Sequence, residues 1–311
     1  MVTRTVLIAA VLMPLAGLAQ DKGTYDFLRL ETGARIAALS GTSVSLTDDP
    51  NLLFSNPGTL ATLSKPSASA GFLKHLLDVN SGNIVYGQSI GSSGTVAAGI
   101  VFVDYGSFDE TDESMNVLGS FGARDLALVG GWGMALNDET SVGASLKFIY
   151  SSIASYSSSA AALDLGILYR LVEQRITIGA SLLNLGTQLS TYAGTRESLP
   201  LELKAGVSVQ PEHLPAVLSL TFHKLNEADD GFFSRFSSFS IGAEFLLSEN
   251  IRLRGGYNNE KRSDLKLGTS SGLAGFAIGG GVRISTYLVD YAFTSYGSIG
   301  GLHRISVGMT F

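Results

Sequence analysis

The sequence contains no cysteine, only 7 prolines among 311 residues, and no cluster of lysine or arginine. Without cysteine the chain cannot form a disulfide, a thiolate metal site or a lipoprotein anchor. The formal net charge of −6, with no basic patch, argues against nucleic acid as a partner. After the first residues no apolar run reaches the roughly 18 residues of a membrane-spanning helix, which argues against helical spans.

Charge of either sign is also scarce. Charged residues make up 15% of the chain and hydrophobic residues 45%, whereas a soluble domain has about a quarter of its residues charged. The chain also carries 37 glycines. Strands that expose half of their side chains to lipid would account for this composition.

The first residues are typical of an export signal. Arg4 precedes a short apolar stretch, and small residues at Gly17 and Ala19 would suit a cleavage site. We therefore expect residues 1–19 to be a signal peptide that is removed on export.

The C-terminal segment alternates between apolar and polar side chains, as a closing barrel strand does. Residues 141–150, 160–170 and 201–210 alternate in the same way, with charges on one face only. A lysine or arginine on the lipid face costs about 2–4 kcal/mol at mid-membrane, so the charged face must be a wet lumen. The apolar face of the last strand, on which we expect assembly to depend, comprises Ile305, Val307, Met309 and Phe311.

These patterns predict an all-β fold. We expect an antiparallel transmembrane β-barrel of about fourteen strands over residues 66–311, integral to the bacterial outer membrane. Short turns alternate with longer polar segments, which places both ends of the barrel in the periplasm. The segment 96–105 is ambiguous, because both of its faces are apolar.

Residues 20–65 differ from the rest, since their apolar stretches are too short and too interrupted to span a membrane. Asp48, Asp49, Asn56 and Pro57 are turn-forming residues, and Arg35 lies in one of the apolar stretches. The barrel offers the large interior in which such a segment can be buried, so we expect an N-terminal plug. A periplasmic extension is the alternative.

The predicted lumen face carries charges of both signs. A selective pore would show a ring of one sign, so mixed charges favour ion pairs that hold the plug, and no nucleophile and base accompany them. The lumen charges are Asp125, Lys147, Asp164, Arg170, Glu202, Lys204, Glu244, Arg252, Arg254, Arg283, Asp290 and Arg304.

Two polar segments, residues 106–120 and 258–271, are the longest predicted outer loops, and long barrel loops commonly bind partner proteins. We expect them to dock partners through Asp109, Glu110, Asp112, Glu113, Lys261 and Arg262.

Motifs that carry chemistry do not stand out. The 4 histidines are scattered without metal-ligand spacing, and no P-loop or nucleophile-elbow pattern occurs. Glycines at 130, 131 and 133 and at 279–281 fall within strands, where barrel curvature or close packing of the plug explains them. We expect no catalytic residue, metal or cofactor.

Residues 24–39, followed by DDPNLLFSNPGTL at 48–60, resemble the opening of the PorV/PorQ family, relatives of the FadL-like fourteen-stranded barrels with an N-terminal plug. LPLELKAGVS at 199–208, IGAEFLLSENIRLRGGYN at 241–258 and VDYAFTSYGSIGGLHRISVG at 289–308 continue the resemblance along the chain.

The resemblance implies a non-enzymatic component of the type IX secretion system, which attaches exported cargo to the cell surface. Its implied partners are PorV-, PorU- and PorZ-like proteins, in addition to outer-membrane lipid. The alternative is a FadL-like transporter of hydrophobic molecules. That alternative requires an apolar pocket beside the plug and a kinked strand, whereas the predicted lumen is charged and no strand interior carries a proline.

Overall fold

The computed structural model describes residues 24–75, 78–227, 232–266 and 272–311. The predicted signal peptide lies outside the described residues. Within them, fourteen antiparallel strands close into a barrel in which β1 pairs with β14. The strands are β1 (Ser67–Lys74), β2 (Asn80–Ser89), β3 (Thr95–Thr111), β4 (Val117–Ala135), β5 (Thr140–Ile153), β6 (Tyr156–Leu171), β7 (Ile176–Ser190), β8 (Glu202–Val209), β9 (Ala216–Phe222), β10 (Phe239–Leu246), β11 (Ile251–Asn258), β12 (Phe276–Ile284), β13 (Tyr287–Ser295) and β14 (Gly301–Thr310).

The predicted fold class and strand number are confirmed. Ser67 pairs with Thr310 and Lys74 with His303, so the first and last strands close the barrel in register along their length. An even number of strands places both barrel ends on one side, with the short turns. That side is the periplasmic end by the rule that holds for outer-membrane barrels.

The wall is tall on one side and short on the other. Strands β3 to β7 have 14 to 19 residues, whereas β8 to β14 have 7 to 10. About 9 to 11 residues suffice to cross a bilayer. The tall strands therefore extend beyond the membrane on the outer side.

This extension corrects one predicted outer loop. Residues 106–120 are mostly strand, joined by a tight turn around Ser114. Their side chains do not alternate between apolar and polar, because both faces of these strands are exposed to water and neither needs to be apolar.

The outward side chains form an apolar belt around the barrel. Leu146, Phe148, Ile241 and Val307 are all exposed, while their strand neighbours point inward and are buried or partly buried. Such a belt on a closed barrel is stable only in lipid. The predicted location, integral to the outer membrane, is confirmed.

Two short α-helices accompany the strands, α1 (Ala34–Ala38) inside the barrel and α2 (Asn259–Asp264) at its outer end. None of the helices in the described ranges is long and apolar enough to span a membrane.

Candidate functional site

The described residues 24–65, hereafter the plug, occupy the barrel lumen. They form α1 and three 3₁₀ turns, at Asp26–Arg29, Pro50–Phe54 and Pro57–Thr62. The plug's large apolar side chains are buried against the inner wall; they are Tyr25, Phe27, Ile36, Leu39, Leu52, Leu53 and Leu60. These contacts lie between the plug and the strands of the wall.

The turn-forming residues cap the turns of the plug. Asp49 Oδ1 accepts a hydrogen bond from the backbone N of Asn51 at 2.9 Å, with Pro50 at the first position of the turn. Asn56 Oδ1 accepts one from the backbone N of Gly58 at 3.0 Å in the same way. These Asx-Pro sequences fix the direction of the chain because the side chain satisfies an N–H that the short turn leaves free.

Asn56 also joins the plug to the wall. Its Nδ2 donates to the backbone oxygens of Val44, at 2.7 Å, and Ile167 of β6, at 3.1 Å. Glycines in the wall allow this approach: a Cβ on Gly143 would lie 2.3 Å from the backbone O of Pro57. The glycine at this wall position is therefore required by the plug.

We expect Gly143→Ala to displace the plug, because the atoms that its Cβ would meet are backbone atoms of Pro57 and Gly58. The matched control is Gly130→Ala, since a Cβ on Gly130 would meet nothing within 4 Å. Faster trypsin cleavage of the plug in Gly143→Ala alone, measured on folded barrel, is the expected result. Equal cleavage of the two variants would show that the plug does not depend on this contact.

Buried ion pairs connect α1 to the short wall. Arg35 Nη2 lies 2.8 Å from Glu244 Oε2, and Arg254 Nε lies 2.8 Å from the other oxygen of Glu244. Arg254 Nη1 continues to Asp290 Oδ1 at 2.5 Å. Arg35 further donates to the backbone O of Thr47 at 3.1 Å and faces Asp49. The four charges link the plug to β10, β11 and β13.

A second buried group lies within the tall wall. Lys147 Nζ is 2.9 Å from Asp164 Oδ2 and donates to Asn184 Oδ1 at 2.7 Å. Asn184 stands at a bulge between β6 and β7 with a φ of 61°, and its backbone N donates to Asp164 at 2.8 Å. Asp125 nearby accepts from the hydroxyl of Tyr105 at 2.7 Å.

A third group lies at the outer end, where Glu31 of the plug pairs with Lys261 and lies 3.7 Å from Arg304. Burial disfavours the charged carboxylate, yet the two cations hold the pKa of Glu31 below its usual range. On the wall beside this group, Glu202 lies 3.3 Å from Lys204 and 3.7 Å from His223.

The structure places all twelve predicted lumen charges on the inner face of the wall. Nine of them belong to the three groups above, and the exceptions are Arg170, Arg252 and Arg283 near the periplasmic end. Arg170 donates to the backbone O of Asp138 at 3.3 Å.

The position of Lys261 corrects one predicted docking loop. Lys261 and Arg262 lie in α2, which Asn258 caps by accepting from the backbone N of Lys261 at 2.8 Å. Lys261 reaches inward to the plug, and Arg262 stacks over the ring of Phe276. Both charges therefore interact within the protein. The short wall leaves the outer end of the plug uncovered, and α2 covers it.

The other predicted docking segment is the outer part of the β3–β4 hairpin, residues 105–123, hereafter the outer hairpin. Asp112 caps its turn by accepting from the backbone N atoms of Ser114 and Asn116, and these hydrogen bonds and one from the Asn116 side chain lower its pKa. Asp109, Glu110 and Glu113 are exposed. So are three apolar residues that the sequence did not mark: Met115 (81%), Val117 (63%) and Leu118 (66%).

Part of the inner surface of the tall wall is apolar, which corrects the prediction of a charged lumen throughout. Val101, Val103, Ala127, Val129 and Ile149 of β3 to β5 pack against Tyr25, Phe27 and Phe54 of the plug. Between these two surfaces lies a cavity of only about 10 Å³. It has room for about one water molecule.

No protein-family model matches the sequence, and no curated protein matches it significantly. Solved structures do resemble it. The Ralstonia pickettii toluene transporter TbuX matches with a TM-score of 0.62 at 14% identity, over 91% of this chain and 99% of that chain. The monoaromatic hydrocarbon channel CymD matches with 0.60 at 13%, over 93% and 99%. A Pseudomonas aeruginosa FadL homologue matches with 0.56 at 11%, over 90% and 98%.

The closed barrel, its apolar belt and the plug define an integral outer-membrane barrel protein with an occupied lumen. The particular fold is the FadL-like barrel of fourteen strands. At these identities the likeness establishes the fold, and the function must be argued from the residues.

Proposed function

We propose that the protein is a non-enzymatic scaffold of the type IX secretion and cell-surface attachment machinery, with an immobile plug and a partner-binding outer hairpin. The observation that carries the proposal is the close fit of the plug against the tall wall, where the apolar cavity between them has about 10 Å³. A barrel held shut by buried ion pairs is suited to present a surface. The resemblance of residues 24–60 to the PorV/PorQ family supplies the identity of the machinery.

The outer hairpin has the properties of a docking surface. The Asp104–Arg124 pair stands on the outer face, with 41% and 74% of the side chains exposed. Above this pair β3 and β4 extend beyond the neighbouring strands β2 and β5. Their paired register reaches Thr111 and Val117, whereas β2 stops opposite Asp104 and β5 opposite Ala123. Two unpaired strand edges are therefore available to a partner strand.

The side chains of the outer hairpin suit a protein partner. Met115, Val117 and Leu118 provide an exposed apolar centre, and Asp109, Glu110 and Glu113 provide an acidic border. An apolar centre with a polar border is the usual composition of an interface. The partners implied by the resemblance are PorV-, PorU- and PorZ-like proteins, and we expect their contact surface to be basic at its edge.

Replacing residues 107–120 by a two-residue Asn-Gly turn should leave the barrel folded, because the removed strands lie outside the membrane. Co-purification of the partner barrel and sortase from the native outer membrane should be lost, and cargo attachment should stop. The control is Leu185→Ala, which shortens an exposed side chain in the apolar belt. Retained partners and normal attachment after the replacement would contradict the scaffold proposal.

A second candidate function is passage of hydrophobic molecules, since the resembling TbuX is a toluene transporter and CymD a monoaromatic hydrocarbon channel. One feature of the wall favours it. An apolar groove of about 820 Å³ runs along the outer face of the tall wall, lined by Ile84, Leu128 and Leu146. Val129 and Lys147 line both this groove and the small interior cavity.

Toluene and palmitate are the probes for this candidate. Reconstituted protein that accelerates their entry into vesicles, with loss of uptake in Phe54→Trp, would favour transport over scaffolding. Uptake at the rate of protein-free vesicles would favour the scaffold.

A further inference from the structure

A polar cleft of about 420 Å³ opens at the periplasmic end of the barrel, between the plug and the short wall. It is bounded by the start of β1, the end of β14 and the turn between β12 and β13. Its cationic side chains are Arg35, Lys65, Arg252 and Arg283, and its acidic ones are Asp48, Asp49, Glu244 and Asp290.

Each of the four acids of the cleft already has a partner. Glu244 and Asp290 pair with Arg35 and Arg254. Asp49 faces Arg35 at 3.5 Å and caps the adjacent turn. Asp48 accepts hydrogen bonds from the backbone N and hydroxyl of Ser64, at 3.1 and 3.0 Å.

Arg252 and Arg283 have no such partner. Neither guanidinium lies within 4.0 Å of a carboxylate in the described ranges, and neither makes a side-chain hydrogen bond there. The two residues occupy the inner faces of adjacent strands, since Arg252 is paired with Gly281, two residues before Arg283. Diagonal neighbours at this spacing interact, and like charges repel.

The surroundings of Arg252 add to this repulsion. Arg252 precedes Arg254 at a spacing of two on the inner face of β11, and Arg35 and Arg283 line the same cleft. In addition, Arg254 Nη2 is buried without a hydrogen-bond partner. Two half-buried guanidiniums without an ion-pair partner, those of Arg252 and Arg283, thus face a polar cleft.

We propose that this arginine cleft binds the phosphate group of an anionic molecule from the periplasmic side. A phosphate monoester carries a charge of about −1.5 to −2 at neutral pH and would give both guanidiniums the anionic partner that they lack. The planar guanidinium fork binds phosphate oxygens in pairs. Hydroxyls of Ser69 and Thr286 line the same cleft and can donate to further oxygens.

The phosphate can belong to a soluble monoester or to a lipid headgroup of the inner leaflet, because both sources present the same group at the periplasmic end of the barrel. Its volume exceeds that of free phosphate, so a substituted phosphate fits. The proposal is independent of the scaffold function: it concerns the opposite end of the barrel and a different chemistry.

Calorimetric titration of the detergent-purified full-length protein tests it, with sn-glycerol 3-phosphate as the soluble probe and short-chain phosphatidic acid in nanodiscs as the lipid probe. We expect saturable binding of one or both probes, with a Kd that rises with salt. Arg252→Gln and Arg283→Gln should each weaken binding by about tenfold or more, and the double variant should show no saturable heat.

The control is Arg170→Gln, which removes an inward-facing arginine at the same end but outside the cleft. Heat-modifiable mobility on gels verifies that each variant is folded, and Arg252→Lys, which keeps the charge, should bind with intermediate affinity. Preference for phosphatidic acid would identify a headgroup as the source, and preference for glycerol phosphate a soluble ligand. Absence of saturable binding to the parent, or equal binding by the double variant, would overturn the proposal.

Discussion

Glu244→Gln is expected to release the plug from the short wall. The substitution removes the carboxylate that Arg35 and Arg254 share, and it leaves two buried guanidiniums next to each other. Breaking a buried ion pair by removing one partner costs about 3–5 kcal/mol. We expect lower resistance of the plug to heat and urea, measured as labelling of a cysteine placed at Ala37, which is buried in the parent.

The matched control for this prediction is Asp104→Asn, which breaks the Asp104–Arg124 pair on the outer face. That pair is 3.4 Å long and well exposed, so its loss should cost at most about 1 kcal/mol. Because each variant removes one negative charge, a difference between them reports burial and not net charge. Labelling of Ala37→Cys at the same urea concentration in both variants would show that the ion pairs do not hold the plug.

The barrel could be predicted because lipid and water impose opposite chemistry on alternate residues. The closing strand shows this clearly: Ile305 and Val307 are exposed to lipid, and Arg304 and Ser306 are buried in the lumen. The pattern fails where the lumen is also apolar. Val96 and Ile100 of β3 face lipid, but Ala97 and Val101 pack on the plug, so neither face is polar.

The sequence predicts that the lumen charges form ion pairs, but it does not predict all of the partners. Alternation places Glu244 and Arg254 on the lumen face, and their register across β10 and β11 makes them direct neighbours. Nothing in the sequence indicates that Arg35, more than 200 positions earlier, completes the group, because that contact depends on how the plug turns at Asp49 and Asn56. The inward direction of the Lys261 side chain could not be predicted for the same reason, since its partner Glu31 lies in the plug.

The sequence does not indicate that the outer hairpin is strand, because its residues are exposed to water on both faces. Ser107 pairs with Gly122, and Phe108 stacks on Phe121 with ring centroids 5.5 Å apart, but serine, glycine and acidic residues dominate the intervening sequence. Loops are also polar and rich in glycine. Only the backbone pairing distinguishes the two.

Leu146→Lys is expected to prevent assembly of the barrel in the outer membrane. Leu146 stands on β5 between Ala144 and Phe148 of the outward face, with 68% of its surface exposed. A lysine there would meet hydrocarbon near the middle of the belt, at a cost of about 2–4 kcal/mol. We expect a strong fall in the yield of heat-modifiable, membrane-inserted protein.

Leu118→Lys is the matched control, because Leu118 has nearly the same exposure, 66%, but lies on the outer hairpin above the belt. In water the two substitutions would be equally harmless, since both side chains are free to extend from the surface. A loss of membrane yield confined to Leu146→Lys therefore measures the presence of lipid at that position. Equal yields of the two variants would mean that β5 does not face hydrocarbon and that the apolar belt is placed wrongly along the strands.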